Sequence, residues 1–408
     1  MQAFQYYMKT EVVFGAGTHD QAARLVQKHG GTRCLVVYGG GSAVKSGLLD
    51  SICAQLESAG IPYDTFGGAQ PNPRLGHARA GVELAISQKS DFFLAVGGGS
   101  VIDTAKAIAI GAAHPGTDLW RFWLKELPVD KSLPVGVVLT LPASGSETSD
   151  SAVLTNEENR MKRGLSTDWN RPAFAILDPT LAATLPRFQV ACGVTDILMH
   201  TLDRYFNPVP DNDTSDAIAE ALLRVVIDNG FEAMLEPAHP HYMGEIMWCG
   251  SLSHNGLTGL GGPKDFAVHQ LGHALSAKFD VAHGASLSAV WGSWALAVAG
   301  TDGYKRFARF ARNVWEVSEA DNQQAAMIGI QRQVRYFQKL WMPIGLAQLG
   351  HGPLSEDDIE DLTRLCSYDY TRTIGTFRVL NADDIREIYR AANQVPVPQQ
   401  PAHSHHEE

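Results

Sequence analysis

The sequence contains few cysteines, no long apolar run and no excess of basic residues. Its 5 cysteines are an odd number without CxxC spacing, so neither a disulfide framework nor a thiolate metal site is predicted. No apolar run reaches the roughly 18 residues of a membrane span, and the first residues do not resemble a signal peptide. A net charge of -11 disfavours nucleic acid and anionic membranes as partners. We therefore expect a cytoplasmic protein with no nucleic-acid or membrane partner.

The chain of 408 residues is longer than one hydrophobic core usually organises, so two domains are expected. Residues 1–185 alternate short apolar runs with helical patterns, which predicts an α/β domain with a largely parallel sheet. Amphipathic helical patterns follow one another over residues 186–393, which predicts an all-helical domain. Residues 394–408 are rich in Pro, Gln, His and Glu, and we predict a disordered tail there.

Two Gly-Gly-Gly-Ser turns, at 39–42 and 97–100, each follow a predicted strand and precede a predicted helix. The first of these helices is expected over about 44–59, and Ser100 is expected to cap the second. Glycine lets the backbone approach a ligand, and the free N–H groups at a helix start attract phosphate. Neither turn has the G-x-G-x-x-G or P-loop pattern. Because there are two of them, they still favour a Rossmann-like nucleotide-binding domain.

The loop 141–149 follows a third predicted strand, and its small hydroxylated residues suit the binding of polar ligand groups. A β-hairpin is the alternative for this region, because 152–155 and 173–177 have the pattern of strands around an exposed tip at 156–159. Lys162 lies beyond that tip, where the pattern alone predicts an ordinary surface lysine.

The stretch from Gly193 to His283 has the residue types and spacing of a metal site. Asp196 and His200 are four residues apart, as are His269 and His273, and His283 follows ten residues later. A spacing of i, i+4 places two side chains on one face of a helix. Asp196 with two or three of these histidines would bind Fe²⁺ or Zn²⁺, which accept imidazole and carboxylate together. Core packing of histidines is the competing interpretation.

These motifs together resemble the iron-containing (group III) alcohol dehydrogenases over nearly the whole chain. The resemblance rests on Pro71-Asn72-Pro73, on residues 97–100 with Asp103 and Lys106, on Gly145-Ser146-Glu147, on Ile176-Leu177-Asp178-Pro179, and on the Asp196 to His283 set. Within the family, the chain is most similar to the branch of NADPH-dependent butanol dehydrogenases and broad-range aldehyde reductases.

The resemblance implies a dehydroquinate-synthase-like fold, with an N-terminal α/β dinucleotide-binding domain and an all-α metal-binding and catalytic domain. It also implies hydride transfer between NADP(H) and a small primary alcohol or aldehyde, such as butanol or butanal. A homodimer is implied as well, which we expect to form by pairing of the strand around residues 10–14 across chains.

Individual positions take roles from the same resemblance. The implied metal ligands are Asp196, His200, His269 and His283. The implied cofactor positions are Gly40, Ser42, Asn72, Gly98, Gly99, Ser100, Asp103, Thr140, Ser149 and Lys162. His273 matches a histidine beside the nicotinamide and the substrate, and we take it as a candidate proton relay, with a structural role as the alternative. The ligand types suit Fe²⁺, Zn²⁺, Mn²⁺ or Co²⁺.

Gly40 bears on the choice of cofactor. Many family members have an aspartate at this position, and that carboxylate would bind the ribose hydroxyls of NAD and repel a 2′-phosphate. Glycine here therefore predicts a preference for NADP(H) over NAD(H), with Ser42 and Lys45 as candidate contacts for the phosphate.

Other activities on the same residues stay open. A metal-dependent lyase acting on a sugar phosphate would require several Lys and Arg beside the metal, and the helices around Asp196 and His269 contain few, Arg204 being the nearest. A metal hydrolase would activate water but would leave the glycine-rich turns unexplained. A non-catalytic binding protein is disfavoured because all four metal positions are intact.

Overall fold

A computed structural model of the protein describes residues 2–396, which form eight β-strands and fourteen α-helices. The strands are β1 (Glu11–Phe14), β2 (Cys34–Gly39), β3 (Tyr63–Ala69), β4 (Phe92–Gly97), β5 (Val135–Leu139), β6 (Ser151–Asn156), β7 (Met161–Ser166) and β8 (Phe174–Leu177). Six of them form one sheet of order β1-β8-β5-β4-β2-β3, and β6 pairs with β7 separately. Every pair in the large sheet is parallel, whereas β6 and β7 are antiparallel.

Helices accompany the sheet in the first half and fill the second half. The first six are α1 (Ala22–Lys28), α2 (Ser42–Lys45), α3 (Leu48–Ser58), α4 (Leu75–Gln88), α5 (Gly99–Ala113) and α6 (Trp120–Trp123). The remaining eight are α7 (Arg187–Tyr205), α8 (Asp213–Leu235), α9 (Pro240–His254), α10 (Ala267–Phe279), α11 (His283–Trp315), α12 (Asn322–Lys339), α13 (Glu356–Cys366) and α14 (Ala382–Asn393). The predicted fold class, an α/β part followed by a helical part, is confirmed.

Alternation along the central strands explains why the sheet is buried on both faces. In β4, Phe93 and Ala95 belong to one hydrophobic cluster, whereas Phe92 and Leu94 belong to another. Successive side chains of a strand point to opposite faces, so a run of apolar residues fills both clusters. The first cluster continues without a break into the helical half, where it includes Val194 of α7. The sheet and the helices therefore share one core.

The strand order places both glycine-rich turns at one point. The chain leaves β2 for β3 on one side and returns to β4 on the other, so the connections change direction between β2 and β4. Ligands of open parallel sheets bind at the carboxyl ends of strands where such a reversal occurs. Residues 39–42 and 97–100 follow those two strands directly, so this edge of the sheet is where a nucleotide would bind.

Several predicted elements differ in detail. The helix expected over 44–59 is interrupted at Gly47, which has a φ of +75° and separates α2 from α3. Ser100 does not cap α5, because the helix begins at Gly99 with Gly98 as its N-cap, so Ser100 lies in the first turn. Helix α11 consists of two helical segments joined at a kink, because the backbone of Gly300 is non-helical.

The predicted hairpin has a different second strand. Residues 151–156 pair with Met161–Ser166, and residues 174–177 instead join the parallel sheet between β1 and β5. Lys162 therefore lies on a strand and is buried, contrary to its predicted surface position.

Three further predictions concern the tail, membrane spans and the cysteines. Of the tail predicted to be disordered, residues 397–408 lie outside the described residues, while Gln348 donates a hydrogen bond to the carbonyl of Pro396. Among the helices of residues 2–396, none has the length and apolar character required to cross a bilayer. All five cysteines are free thiols, as their spacing predicts.

Candidate functional site

Helix α7 positions the first two metal-ligand candidates. Asp196 and His200 lie one turn apart on this helix, and both are buried. Gly193 lets the helix approach the loop after β5, because a Cβ there would lie 2.2 Å from the carbonyl oxygen of Pro142. A Cβ on Gly284 would likewise lie 2.3 Å from the carbonyl oxygen of Cys192. Close packing at these two glycines brings the sheet edge and the start of α11 against α7.

Three imidazole nitrogens surround one oxygen of Asp196. Its Oδ1 lies 3.3 Å from Nε2 of His200, 3.5 Å from Nε2 of His269 and 3.7 Å from Nε2 of His283. Ligand atoms about 2.1 Å from a tetrahedral metal would lie about 3.4 Å from each other. Asp196, His200 and His269 offer ligand atoms that all lie within 4.8 Å of one another, so these three fit one divalent metal, and His283 borders the same Asp196 oxygen.

The polar atoms at this centre need a partner that the protein itself does not supply. Oδ1 of Asp196 and Nε2 of His269 are buried without a hydrogen bond within residues 2–396. Leaving such atoms unpaired is costly, and a metal ion would satisfy both. The donor set of one carboxylate oxygen and three imidazoles suits Fe²⁺ or Zn²⁺.

Asp203 orients the third ligand. Its Oδ2 accepts a hydrogen bond of 2.5 Å from Nδ1 of His269, which leaves Nε2 of that ring free to bind a metal. Burial on its own would lower the pKa of His269, but the contacts with Asp196 and Asp203 outweigh it and raise the pKa. Burial holds the pKa of His200 well below its usual value, so this ring is neutral, the form that binds metals.

A cleft of ≈ 940 Å³ joins this centre to the carboxyl edge of the sheet. The four metal-ligand candidates and the proton-relay candidate His273 line it, the four being Asp196, His200, His269 and His283. Seven of the ten cofactor candidates line it as well, namely Asn72, Gly98, Gly99, Ser100, Asp103, Ser149 and Lys162. Gly40, Ser42 and Thr140 lie outside the lining, at the ends of β2 and β5.

A buried ion network fixes the loop between β5 and β6. Asp103 of α5 accepts hydrogen bonds from Oγ of Ser146 and from the backbone N–H of Val153. Nζ of Lys106 donates to the carbonyl oxygens of Ser146, Ser149 and Ser151. Burial lowers the pKa of Lys106 to about 8. Since these bonds reach across the loop, they fix its backbone against the helix that opens at the second glycine-rich turn.

Lys162 connects the small hairpin to the sheet edge. Its Nζ donates a 2.9 Å hydrogen bond to Oδ1 of Asn72, whose Nδ2 donates to Oδ1 of Asp280. Burial lowers the pKa of Lys162 to about 8. The same Asp280 oxygen lies 2.8 Å from Arg74, so residues from the sheet, the hairpin and the end of α10 meet here.

His273 lies beside the metal-ligand candidates but not among the atoms that surround Asp196. Its ring centroid is 5.4 Å from that of His283 and 6.3 Å from that of His269. Loss of hydration in the cleft holds the pKa of His273 well below its usual value. Its Nδ1 is buried without a hydrogen bond to any described residue, so the ring keeps an uncommitted nitrogen.

Sequence reasoning missed several residues of the cleft. The ring of His254 lies 4.0 Å from that of His200, and its Nδ1 lies 2.6 Å from the carbonyl oxygen of Ser144. The cleft is also richer in cations than the helices around Asp196 suggested, because other elements supply them: Lys125, Lys162, Arg163, Lys264 and Arg372. Apart from Lys162, which the family resemblance named, no local pattern marks these cations, because they come from separate parts of the chain.

Comparison with known proteins places the chain in one family. Residues 9–179 match the description "Iron-containing alcohol dehydrogenase", and residues 190–393 match "Fe-containing alcohol dehydrogenase family, C-terminal". The NADH-dependent butanol dehydrogenase A of Clostridium acetobutylicum is 36% identical, with 96% of this chain and 99% of that protein covered. The NADPH-dependent aldehyde reductase YqhD of Escherichia coli is 34% identical, with 96% and 100% covered.

A solved structure agrees with this assignment. The crystal structure of NADH-dependent butanol dehydrogenase A from Thermotoga maritima has a TM-score of 0.91 and 31% identity, with 96% of this chain and 99% of that chain covered. The names of these relatives divide between NADH and NADPH, whereas all three describe oxidoreductases. The matches span both halves of the chain, and the protein belongs to the iron-containing alcohol dehydrogenase family, on the branch of the butanol dehydrogenases and YqhD.

Proposed function

We propose that the protein is a metal-dependent alcohol dehydrogenase and aldehyde reductase that transfers a hydride between NADP(H) and a small primary alcohol or aldehyde. The observation that carries the proposal is the single cleft lined by both the metal-ligand set around Asp196 and the glycine-rich turn after β4. A nucleotide at the turn and a substrate at the metal centre would face each other across it.

Asp196, His200, His269 and His283 would hold the metal. A divalent ion there supplies Lewis acidity toward the oxygen of an aldehyde or alcohol. Asp203 contributes by keeping His269 in one tautomer and orientation. Both Asp196 and His269 are almost fully enclosed, so water is kept from the protein side of the centre.

Backbone and side chains at the sheet edge would hold the cofactor. Gly98 is the N-cap of α5, and the free N–H groups that begin this helix favour a phosphate group. The Asp103 and Lys106 network keeps the neighbouring loop in place, and Lys162 adds a positive charge on the far wall of the cleft. The nicotinamide ring supplies or accepts the hydride.

Gly40 supports a preference for NADP(H). A Cβ built on this residue would meet no atom within 4 Å, so there is open space at the end of β2 where many family members carry an aspartate. Without a carboxylate, a 2′-phosphate meets no repulsion here. Ser42 opens α2 directly beyond, and Lys45 lies in the same helix.

His273 is the candidate for proton transfer between the substrate oxygen and solvent. Its Nδ1 has no hydrogen-bond partner within residues 2–396, and burial lowers its pKa, which keeps the ring neutral. It lines the cleft next to His283 and His269, and this location suits such a relay.

We also propose a homodimer in the cytoplasm. β1 pairs with β8 on one side only and forms an edge of the described sheet, and an uncovered edge strand favours pairing with a second chain. The free thiols fit a reducing compartment. Light scattering on the purified protein would give a mass of two chains, and a mass of one chain would contradict the dimer.

The activity is tested by following NADPH oxidation with butanal as substrate, with NADH as the comparison cofactor. The proposal predicts turnover that favours NADPH, and oxidation of butanol by NADP⁺ in the reverse direction. If no simple aldehyde oxidises either cofactor with metal present, hydride transfer is excluded. Hydrolysis of a test ester, or elimination from a sugar phosphate, without consumption of cofactor would then assign the centre to a metal-dependent hydrolase or lyase.

A further inference from the structure

Arg204 is a buried cation that the proposed reaction does not use. Its side chain is 1% exposed, and its one hydrogen bond is from Nη1 to the carbonyl oxygen of His200. Nε is buried without a partner, and no carboxylate within residues 2–396 lies at ion-pair distance from the guanidinium. A guanidinium keeps its charge in proteins. Fully buried arginines are normally paired with a carboxylate, and Arg204 has no such partner within residues 2–396.

A second cation lies on the same part of the cleft wall. Lys264 is exposed at the cleft and close enough to Arg204 for their charges to repel, and it makes no hydrogen bond to a described residue. The ring of Phe266 lies beneath Arg204, whose Cζ is 4.8 Å from the ring centroid. That centroid is 5.2 Å from the ring of His269 and 6.2 Å from the ring of His200. The two cations therefore border the metal centre.

The nearby acidic side chains do not neutralise this pair. Asp150 lines the cleft, but its Oδ2 lies 3.9 Å from Nη2 of Arg171, whose Nε contacts Asp168 at 3.0 Å. Asp203 bonds to His269. Neither Asp150 nor Asp203 contacts the guanidinium, although both lie close enough to act on it electrostatically, so the charge of Arg204 has no direct partner.

The cations also lie on the far side of the metal centre from the cofactor turn. Along α7, Gly193 packs against the loop after β5, and Asp196, His200 and Arg204 then follow at four-residue intervals. The Phe266 ring is near both ends, 4.8 Å from Cζ of Arg204 and 5.2 Å from the ring of His269. A substrate bound through its oxygen at the metal centre would therefore reach the guanidinium with a chain of a few carbon atoms.

We propose that Arg204 and Lys264 bind a carboxylate at the far end of the substrate, so that the preferred substrates are short aldehydes and alcohols that carry a terminal carboxylate. This inference rests on the proposed aldehyde reductase activity and names its substrate class. A carboxylate satisfies the unpaired guanidinium, and the Phe266 ring and His254 flank the short chain between the two ends.

The test compares butanal with 4-oxobutanoate, which has the same four carbons and differs by the carboxylate. For the wild-type holoenzyme, kcat/KM is expected to be higher for 4-oxobutanoate. Lys264→Gln is expected to lower the ratio of the two kcat/KM values roughly tenfold, the size of one charge-assisted hydrogen bond. Arg204→Gln is expected to lower it at least as far. Lys131→Gln, which removes an exposed cation outside the cleft, is the control and leaves the ratio unchanged.

Lys264 keeps the test valid if Arg204→Gln fails to fold, because Lys264 is exposed and makes no hydrogen bond or ion pair with a described residue. Should butanal be reduced at least as well as 4-oxobutanoate, or should Lys264→Gln leave the ratio intact, the carboxylate site is wrong and the aldehyde reductase activity stands. A rise in KM for NADPH with an unchanged ratio would assign Lys264 to the cofactor. Preference for 3-oxopropyl phosphate over 4-oxobutanoate would show that the site binds a phosphate and not a carboxylate. Absence of turnover with every aldehyde would refute the activity itself.

Discussion

Gly40 is the single residue on which the cofactor preference depends. We predict that Gly40→Asp lowers the ratio of kcat/KM for NADPH to that for NADH by tenfold or more, about 1.4 kcal/mol, because the new carboxylate repels the 2′-phosphate and binds the ribose hydroxyls. The space around Gly40 accommodates the side chain. Gln323→Asp, at an exposed position in the first turn of α12, adds the same charge elsewhere and serves as the control. An unchanged ratio in Gly40→Asp would contradict the proposed role.

Asp203 acts on the metal through His269. Asp203→Asn is expected to weaken metal binding roughly 10- to 100-fold, because it removes the charge that fixes the ring and increases the basicity of Nε2. Affinity is measured by competition with a chelator. Asp168→Asn, which alters an exposed carboxylate outside the metal centre, is the control and should leave the metal affinity unchanged. Equal affinity in wild type and Asp203→Asn would show that Asp203 has no such role.

Individual side chains were predictable where a motif fixes them and not where the fold alone does. The i, i+4 pairs on α7 and α10 give Asp196 and His200, and His269 and His273, without knowledge of the structure. Lys162 carries no local signal, because its burial depends on the pairing of β7 with β6 and on Asn72.

At the scale of elements, close backbone contacts hold the two halves of the site together. Gly193→Ala would place a Cβ 2.2 Å from the carbonyl oxygen of Pro142, so the helix or the loop must shift. We expect a loss of about 1–3 kcal/mol in the free energy of unfolding, measured with denaturant. Gly76→Ala in the first turn of α4, where the nearest atom would lie 3.7 Å away, should be neutral or slightly stabilising. Equal stability of the two variants would contradict the packing account.

The elements themselves follow from the sequence except where long-range pairing decides. Apolar runs and amphipathic periodicity predict the strands β2, β4 and β5 and most helices of the second half. The hairpin partner was wrong because residues 161–166 alternate weakly and contain a glycine, while residues 174–177 are as apolar as any strand. Residues 161–166 and 174–177 differ in the strands with which they pair. The partners of residues 174–177 in the parallel sheet are distant in sequence, so the local pattern cannot distinguish the two segments.

At the scale of the whole molecule, the buried lysine on α5 makes stability depend on pH. Lys106 has its pKa lowered to about 8 from 10.5 by burial, so between these values the folded state binds fewer protons than the unfolded state. Stability due to this residue therefore rises with pH over that interval. We expect wild type to gain up to about 3 kcal/mol relative to Lys106→Met between pH 8 and 10.5, measured as unfolding free energies. If the difference in unfolding free energy between wild type and Lys106→Met does not change with pH, the lowered pKa of Lys106 is contradicted.

The fold class of the molecule was predictable, but the contacts between residues distant in sequence were not. The change from strands to helices near residue 185 and the two glycine-rich turns lead from the sequence to the fold class. The contacts of Arg204 with the Phe266 segment and of Lys162 with Asn72 join residues far apart in sequence. Such contacts depend on packing in three dimensions, which periodicity does not encode.

The most direct test of the central claim is a titration of metal-free protein with Fe²⁺ under anaerobic conditions, or with Zn²⁺. Bound metal and butanal-dependent oxidation of NADPH are followed together. We predict that both rise in parallel and level off at one metal ion per chain, and that His269→Ala abolishes both. Full activity in the metal-free protein, or metal binding without any effect on turnover, would contradict the claim that the Asp196 centre drives hydride transfer.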